Sequence, residues 1–171
     1  MLGDPLDPAT TMGPLISRRH QERVLEYIRR GVADGARRLC GGTSASSSEL
    51  AHGNFVSPTI FTDVTSPMCI AQEEIFGPVL SISPFSDEAD AIRVANDSTY
   101  GLASAVWTQN IDRAFRVTRA LHAGEVYVNS YYSASMYETP MAGQKQSGVG
   151  EAGLTRYLQS KAVFLKITSA S

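Results

Sequence analysis

The feature that most constrains the fold is an alternation of apolar runs and amphipathic stretches in the second half of the chain. Residues 79–85, 102–108 and 125–129 are apolar runs of strand length, and the stretches between them carry apolar residues at helical spacing. Strand, helix, strand, helix, strand at these lengths predicts a parallel sheet with right-handed crossovers, and therefore an α/β fold. Because ligands of such sheets bind at the carboxyl ends of the strands, we expect Asn129 and residues 130–150 to line a site.

Local signals predict a long helix near the start of the chain. Ser17 has the chemistry of an N-cap, and Gly35 follows the predicted end of the helix near Ala33. Four apolar residues recur along one face of this helix: Val24, Tyr27, Ile28 and Val32. A short strand at residues 37–40 is predicted next, and residues 55–64 have the composition of an edge or interrupted strand.

Further capping and strand signals divide the rest of the chain. Ser86 is the predicted N-cap of the first crossover helix, and Asn110 or Asp112 is predicted to begin the second. A short helix at residues 154–158 and a final strand at residues 162–167 are predicted to close the chain.

Bulk composition excludes several classes of protein. The chain has 171 residues and is 43% hydrophobic, which predicts a folded protein with a real core. A net charge of −2 with only short arginine pairs gives no reason to expect a nucleic-acid partner. No apolar run approaches the roughly 18 residues of a membrane span, and the start has no signal-peptide pattern, so we expect a cytosolic protein without a membrane partner.

Several motifs match known patterns only in form. Residues 148–153 fit the dinucleotide fingerprint G-x-G-x-x-G, but the nearest predicted strand ends about twenty residues earlier. Gly143 and Gly148 have part of the P-loop spacing, yet Val149 stands where a lysine is needed. Cys40 and Cys69 lack metal-ligand spacing and are interpreted as small apolar thiols, and the three histidines are too scattered to predict a metal site.

The run from residue 72 to residue 80, Gln-Glu-Glu-Ile-Phe-Gly-Pro-Val-Leu, contains the strongest candidate for a binding site. Gly77 and Pro78 predict a turn followed by an extended segment. In an extended chain Glu73 and Glu74 point to opposite sides, so one of them can face a site while the other faces water. A carboxylate beside an aromatic ring suits the ribose and base of a nucleotide. A solvated glutamate pair before a buried strand is the alternative.

Taken together, these motifs resemble the C-terminal part of the NAD(P)-dependent aldehyde dehydrogenases, over nearly the full length of the chain. The Glu-Glu-Ile-Phe-Gly-Pro-Val run is the most specific of them. The matching segments are Gly3-Asp4-Pro5, Gly13-Pro14-Leu15-Ile16, Gly41-Gly42, Ser57-Pro58-Thr59, Glu73-Glu74-Ile75-Phe76-Gly77-Pro78-Val79, Ala95-Asn96, Tyr100-Gly101-Leu102, Gly124, Val128-Asn129 and Lys145-Gln146-Ser147-Gly148.

The resemblance implies a part of the aldehyde dehydrogenase catalytic domain with its parallel sheet over residues 1–158, and an oligomerisation strand and tail over residues 159–171. It implies that Glu74 holds the nicotinamide ribose hydroxyls of NAD or NADP and that Phe76 packs near the nicotinamide ring. It also implies a homo-oligomer that forms through the terminal strand. The loop after Asn129 would line the aldehyde channel, with Tyr131, Tyr132, Met136, Tyr137 and Met141. From composition alone, ordinary loop packing explains these residues equally well.

The reaction implied by the resemblance is hydride transfer to NAD(P) from a thiohemiacetal formed on a cysteine, followed by hydrolysis of the thioester. By position in the family, the nucleophilic cysteine, the glutamate base, the oxyanion-hole asparagine and the dinucleotide domain precede this segment. We therefore assign no catalytic residue here and expect the chain alone to be inactive.

The sequence departs from the family pattern near its end, and two other functional hypotheses stay open. Residues 140–145 read Pro-Met-Ala-Gly-Gln-Lys where the family has Pro-Phe-Gly-Gly-aromatic-Lys, and Glu151 alone follows Gly150. One alternative is a self-association or interaction module that uses the terminal strand as an edge. The other is a cysteine enzyme that uses Cys69.

Overall fold

The computed structural model describes residues 1–45, 50–131, 143–149, 159 and 161–166. It divides the chain into two compact units, Met1–Pro84 and Phe85–Ser171. The predicted α/β class is confirmed by helices and strands that follow in the order α1 (Arg18–Ala33), β1 (Arg37–Cys40), β2 (Thr59–Thr62), α2 (Cys69–Gln72), β3 (Val79–Ser81), α3 (Glu88–Asn96), β4 (Tyr100–Gly101), β5 (Ala103–Val106), α4 (Ile111–Ala120), β6 (Glu125–Val128), β7 (Gln144–Lys145) and β8 (Ala162–Leu165).

In the first unit, α1 packs against a three-stranded sheet in the order β1-β2-β3. The pair β1–β2 is antiparallel, and the pair β2–β3 is parallel. Apolar residues of the helix, the sheet and the following segment form one core, which includes Val24, Ile28, Phe61, Ile70 and Ile75. Burial of this apolar face, more than helix propensity, is what holds α1 in place.

The predicted limits of α1 are confirmed, with one change to its buried face. The side chain of Ser17 accepts a hydrogen bond of 3.2 Å from the His20 amide, which is the geometry of an N-cap. Gly35 has a φ of +99°, as expected of a glycine that ends a helix. Val32 does not belong to the core, because it is 48% exposed, and Gly31 is buried one residue earlier.

In the second unit, β5, β6 and β8 form a parallel sheet with β6 at its centre. Every residue of β6 is buried, whereas the outer strand β8 alternates between half-buried and exposed residues. The segment β5–α4–β6 is the parallel strand–helix–strand unit that the sequence predicts. The final strand is also confirmed, and it pairs in parallel with β6.

The prediction of one sheet for all three apolar runs is wrong. The first run forms β3, which pairs with β2 in the first unit, whereas the other two form β5 and β6 in a separate sheet. The strand is also shorter than predicted, since it ends at Ser81. Pro84 follows closely and has no N–H to donate to a sheet, so the run cannot continue as a central strand through residue 85.

The two crossover helices begin at side-chain caps, and one of these differs from the prediction. Asp87, not Ser86, is the N-cap of α3, and its carboxylate accepts a hydrogen bond of 2.9 Å from the Asp90 amide. Ser86 instead donates to the carboxylate of Asp90. Asn110 caps α4 as predicted, through a 2.9 Å bond from the Arg113 amide.

The carboxyl ends of α3 and α4 are joined by the side chain of Asn96. Its Nδ2 donates to the carbonyl oxygen of Ala120 at 2.8 Å, and its Oδ1 accepts from the amide of His122 at 2.7 Å. Both partners lie at the end of α4. Asn96 therefore satisfies a carbonyl and an amide that the helix end would otherwise leave without partners.

Two lysines from later segments cap the same helix ends. Lys145 Nζ donates to the carbonyl oxygens of Asn96 at 2.9 Å and Ser98 at 2.7 Å. Lys161 Nζ donates to the carbonyl oxygens of Thr118, Arg119 and Leu121. A cation at a helix carboxyl end complements both the free carbonyls and the helix dipole.

Two further predictions concern the helix near the end of the chain and membrane-spanning segments. The helix predicted at residues 154–158 lies outside the described residues. Within the part of the chain that the structure describes, no helix is long and apolar enough to cross a membrane.

Candidate functional site

The Glu-Glu-Ile-Phe run directly follows α2 and is extended where it starts, since Glu73 has a φ of −112° and a ψ of 142°. Glu73 and Glu74 are both exposed, whereas Ile75 is 8% exposed and belongs to the core beside α1. Phe76 is 71% exposed. The two glutamates therefore differ in their contacts rather than in their burial, and that one of them faces a site stays a prediction.

The carboxylate of Glu73 is bound to α1. It accepts a hydrogen bond of 2.6 Å from the hydroxyl of Tyr27 and one of 3.2 Å from the guanidinium of Arg30. The Tyr27 hydroxyl, followed by Arg30, lowers the pKa of the Glu73 carboxyl below its ordinary value. Arg23 and Arg30 also lie over the Tyr27 ring, at 5.5 and 5.2 Å from its centroid. The Glu73 side chain thus attaches this segment to α1.

Glu74, the next residue, is bound only through its main chain. Its carbonyl oxygen accepts a hydrogen bond of 3.1 Å from Arg23. Its carboxylate is exposed and makes no hydrogen bond or ion pair with any other residue that the structure describes. Of the two adjacent glutamates, Glu74 is the one with oxygens free to accept bonds from a ligand.

Phe76 has a backbone conformation that is rare for a bulky residue, with a φ of +58°. A residue with a Cβ loses about 1–2 kcal/mol in this region. Its carbonyl oxygen lies 2.7 Å from Nε2 of His20, and since a carbonyl only accepts, Nε2 carries the donated proton. The two rings also lie near each other, with centroids 6.1 Å apart.

Gly77 allows close packing against α1. A Cβ built on Gly77 would lie 2.7 Å from Cγ2 of Val24, closer than real Cβ atoms approach their neighbours. The positive φ falls one residue earlier, on Phe76. Gly77 therefore lets this segment approach α1 closely, as a residue with a side chain could not.

A cavity of about 380 Å³ lies beside the Phe76 ring. Its lining combines basic, polar and apolar side chains and comprises Ile16, Ser17, Arg19, His20, Arg23 and Phe76. The Phe76 ring and the cations of this lining offer contacts to a planar ring and an anionic group.

The carboxyl ends of the parallel strands in the second unit form another concave region. A cavity of about 440 Å³ there is lined by Trp107, Thr108, Gln109, Asn129 and Lys166. The side chain of Asn129 pairs with both main-chain groups of Thr108, at 2.8 and 2.9 Å. The loop after Asn129 thus starts from a fixed point at the sheet edge where ligands of parallel sheets bind.

Only one of the predicted aldehyde-channel residues lies in the described part of the chain. Tyr131 is 70% exposed, and its ring centroid is 6.2 Å from that of Tyr127. Tyr132, Met136, Tyr137 and Met141 lie outside the described residues.

The cysteines differ in their surroundings. Cys69 is buried, its amide donates a 3.0 Å hydrogen bond to Asp34, and burial together with Asp34 raises the pKa of its thiol. A raised pKa opposes thiolate formation and does not support Cys69 as a nucleophile. Cys40 is exposed on β1, so its interpretation as an apolar filler is wrong. Among the described residues, no group of three His, Cys, Asp or Glu could hold a metal ion.

Sequence reasoning missed the residues of α1 that hold this segment. His20, Arg23, Tyr27 and Arg30 follow one another at spacings of three, four and three, so they lie along one face of the helix. This polar and aromatic stripe beside the apolar one was the available signal. Nothing local showed that its partners lie in the Glu-Glu-Ile-Phe run.

Comparison with known proteins gives the family. The profile of the aldehyde dehydrogenase family matches residues 1–163, and the chain therefore belongs to that family of oxidoreductases. Betaine aldehyde dehydrogenase from Brucella anthropi is 46% identical over 170 residues, and the one from Brucella melitensis biotype 2 is 45% identical. The match covers 97% of this chain and 35% of each relative, so the chain spans about a third of the length of the curated relatives it matches.

Solved structures agree with this family and fold. HpcC from Thermus thermophilus has a TM-score of 0.84 at 46% identity, over 91% of this chain and 30% of that one. Betaine aldehyde dehydrogenase from Staphylococcus aureus in complex with NAD+ has a TM-score of 0.83 at 40% identity, over 86% and 29%. Aldehyde dehydrogenase from Mycobacterium tuberculosis, complexed with NAD+, has a TM-score of 0.81 at 46% identity, over 87% and 30%.

Proposed function

We propose that this chain is part of an NAD(P)-dependent aldehyde dehydrogenase, which oxidises an aldehyde to a carboxylic acid, and that it forms one wall of the nicotinamide-ribose site. The proposal rests on the different side-chain contacts of two adjacent glutamates. Tyr27 and Arg30 bind the Glu73 carboxylate, whereas the Glu74 carboxylate has no partner among the described residues. Phe76 presents an exposed ring two residues later.

The residues of this wall fit the nicotinamide end of the cofactor. The two oxygens of a free carboxylate can accept hydrogen bonds from both hydroxyls of a ribose diol. An exposed aromatic ring offers a planar apolar surface to a heterocycle. When bound, the nicotinamide supplies hydride acceptance. Glu74 and Phe76 bind and orient, and neither moves a proton.

A titration of the isotope-labelled chain with nicotinamide mononucleotide, followed by NMR, tests this proposal. We expect the amide signals of Glu74 and Phe76 to shift, and Glu74→Gln to weaken binding about tenfold, since a bond to a charged acceptor is replaced by one to a neutral acceptor. Glu22→Gln is the matched control, because Glu22 lies on α1 and, among the described residues, its carboxylate pairs with the exposed Arg18 alone. Unshifted Glu74 and Phe76 signals at roughly 10 mM ligand would contradict the proposal.

The aldehyde side is proposed to be formed by the loop after Asn129, with Tyr131 at its start. The exposure of Tyr131 at the carboxyl edge of the parallel sheet supports this assignment. We also propose that the chain alone does not turn over, because no residue here is assigned as the nucleophile. Incubation of the purified chain with NAD and a panel of aldehydes checks this, and turnover that Glu74→Gln abolishes would contradict it.

We further propose that β8 carries self-association of the protein, which would act in the cytosol. β8 is the outer strand of its sheet, and Val163 and Leu165 are 45% and 40% exposed. The expected result in light scattering is a defined oligomer that Val163→Glu disrupts. Leu39→Glu is the control, since Leu39 is 51% exposed on the edge strand β1. A monodisperse monomer for the unmodified chain would contradict self-association.

Both cysteines are unpaired, which supports a reducing compartment.

A further inference from the structure

One face of α1 contacts most of the proposed nicotinamide wall, which consists of residues 73–76. Tyr27 and Arg30 bind the side chain of Glu73, and two residues nearer the start of the helix bind main-chain carbonyls. Those two are Arg23, which donates to Glu74 at 3.1 Å, and His20, which lies 2.7 Å from the carbonyl oxygen of Phe76. The helix thus sets where the wall lies, through four residues that follow one another about one turn apart.

The hydrogen bond from His20 is made to the residue of the wall that has the least favourable backbone conformation. Phe76 is the residue with a φ of +58°, a region that a bulky side chain disfavours. Its side chain is 71% exposed, so burial of the ring contributes little to holding that conformation. On the other side, the buried side chain of Ile75 fixes the chain before Phe76. The His20 bond is the hydrogen bond that fixes the Phe76 carbonyl from the helix side.

We infer that His20 is a positioning residue: its bond to the Phe76 carbonyl holds Phe76 in the left-handed conformation that aims its ring and the Glu74 carboxylate at the nicotinamide ribose. This inference rests on the proposed function of Glu74 and Phe76. His20 acts through Phe76 and through the fixed path of the main chain. Arg23, about one turn further along α1, assists by holding the Glu74 carbonyl.

The conformational part is tested without any ligand. Backbone chemical shifts and residual dipolar couplings of the labelled chain report φ and ψ of Phe76. We expect His20→Ala to move Phe76 out of the left-handed region or to broaden its signals. His20→Gln should restore the native values, since a glutamine amide also donates from a comparable distance. Arg29→Ala is the control, because Arg29 lies on α1 and, within the part of the chain that the structure describes, pairs with Glu26 alone, at 2.6 Å. Native Phe76 couplings in His20→Ala would overturn the inference.

The binding part uses nicotinamide mononucleotide as the probe. We expect His20→Ala to weaken binding about two- to tenfold, the factor that a lost hydrogen bond produces, and His20→Gln to restore it. Equal affinity of the unmodified chain and His20→Ala would overturn the positioning role. If the unmodified chain shows no shifts at Glu74 and Phe76 while His20→Ala still alters the Phe76 couplings, the proposed function fails and the conformational role of His20 stands.

Discussion

The hydroxyl of Tyr27 donates a hydrogen bond of 2.6 Å to Oε2 of Glu73, across 46 residues of sequence. This bond attaches Glu73 to α1, whereas the carboxylate of the next residue, Glu74, is exposed. Two identical side chains next to each other thus differ in their contacts, because one is bound to α1 and the other contacts no polar group that the structure describes.

Replacing the two glutamates separately should affect different properties, stability for Glu73 and ligand binding for Glu74. Glu73→Gln should lower the melting temperature, since a neutral amide binds Tyr27 and Arg30 more weakly than the carboxylate does. Glu74→Gln should leave the melting temperature unchanged and weaken nicotinamide mononucleotide binding. Differential scanning calorimetry and the NMR titration measure the two effects. Equal loss of stability in both variants would contradict the division of tasks.

Gly77→Ala should destabilise the first unit by about 1–3 kcal/mol, because overpacking a filled core forces neighbouring groups to shift. The new methyl group would lie 2.7 Å from Cγ2 of Val24, which is fully buried. Gly13→Ala is the matched control, since the nearest atom to its Cβ is 3.7 Å away, on Pro5. Urea unfolding measures both variants, and equal midpoints would show that the contact with Val24 relaxes freely.

The stability of the second unit should fall in acid through Glu88. Its carboxylate accepts hydrogen bonds from Arg116 and Arg113, which lower its pKa from 4.5 to about 2. A carboxyl with a depressed pKa in the folded state contributes stability above its unfolded pKa and loses it as pH falls through the folded pKa. The contribution is therefore complete above pH 4.5 and is lost between there and about pH 2.

Glu88→Gln should remove that part of the pH dependence. Melting temperatures measured across this acid range should fall less steeply for the variant than for the unmodified chain. Glu22→Gln on α1, which removes an exposed pair with Arg18, should keep the original slope. Parallel curves for Glu88→Gln and the unmodified chain would rule out Glu88 as the source.

Lys161→Met should loosen the end of α4. The ammonium group donates to carbonyl oxygens of Thr118, Arg119 and Leu121, and its loss should cost about 1–2 kcal/mol. Hydrogen exchange at the last turn of α4 and urea unfolding of the whole chain measure the effect. Lys166→Met, beyond the other end of β8, is the control and should leave both unchanged.

Features that depend on neighbours in sequence were predicted well. Ser17 and Asn110 cap their helices as expected, because an N-cap needs only a side-chain oxygen and amides two or three residues on. The caps failed only where two candidates stood together, at Ser86 and Asp87, and the carboxylate took the position.

Features that depend on distant partners were not predictable in this way. The apolar run after Pro78 indicated a strand, but nothing in it showed that β2 would be its partner. The same holds for His20, whose partner Phe76 lies 56 residues away. A polar residue on a helix face has many candidate partners, and only the packed structure selects one. The family resemblance supplied the site residues that periodicity alone could not.

The dependence of the nicotinamide wall on α1 also has a consequence for the order of folding. The bonds that hold residues 73–76 join partners separated by 43 to 56 residues of sequence. Closing loops of this length has an entropic cost that a local turn does not have, so non-local contacts form slowly. We therefore expect the wall to acquire its shape only when α1 docks against it, after the local turns and helices of the first unit have formed.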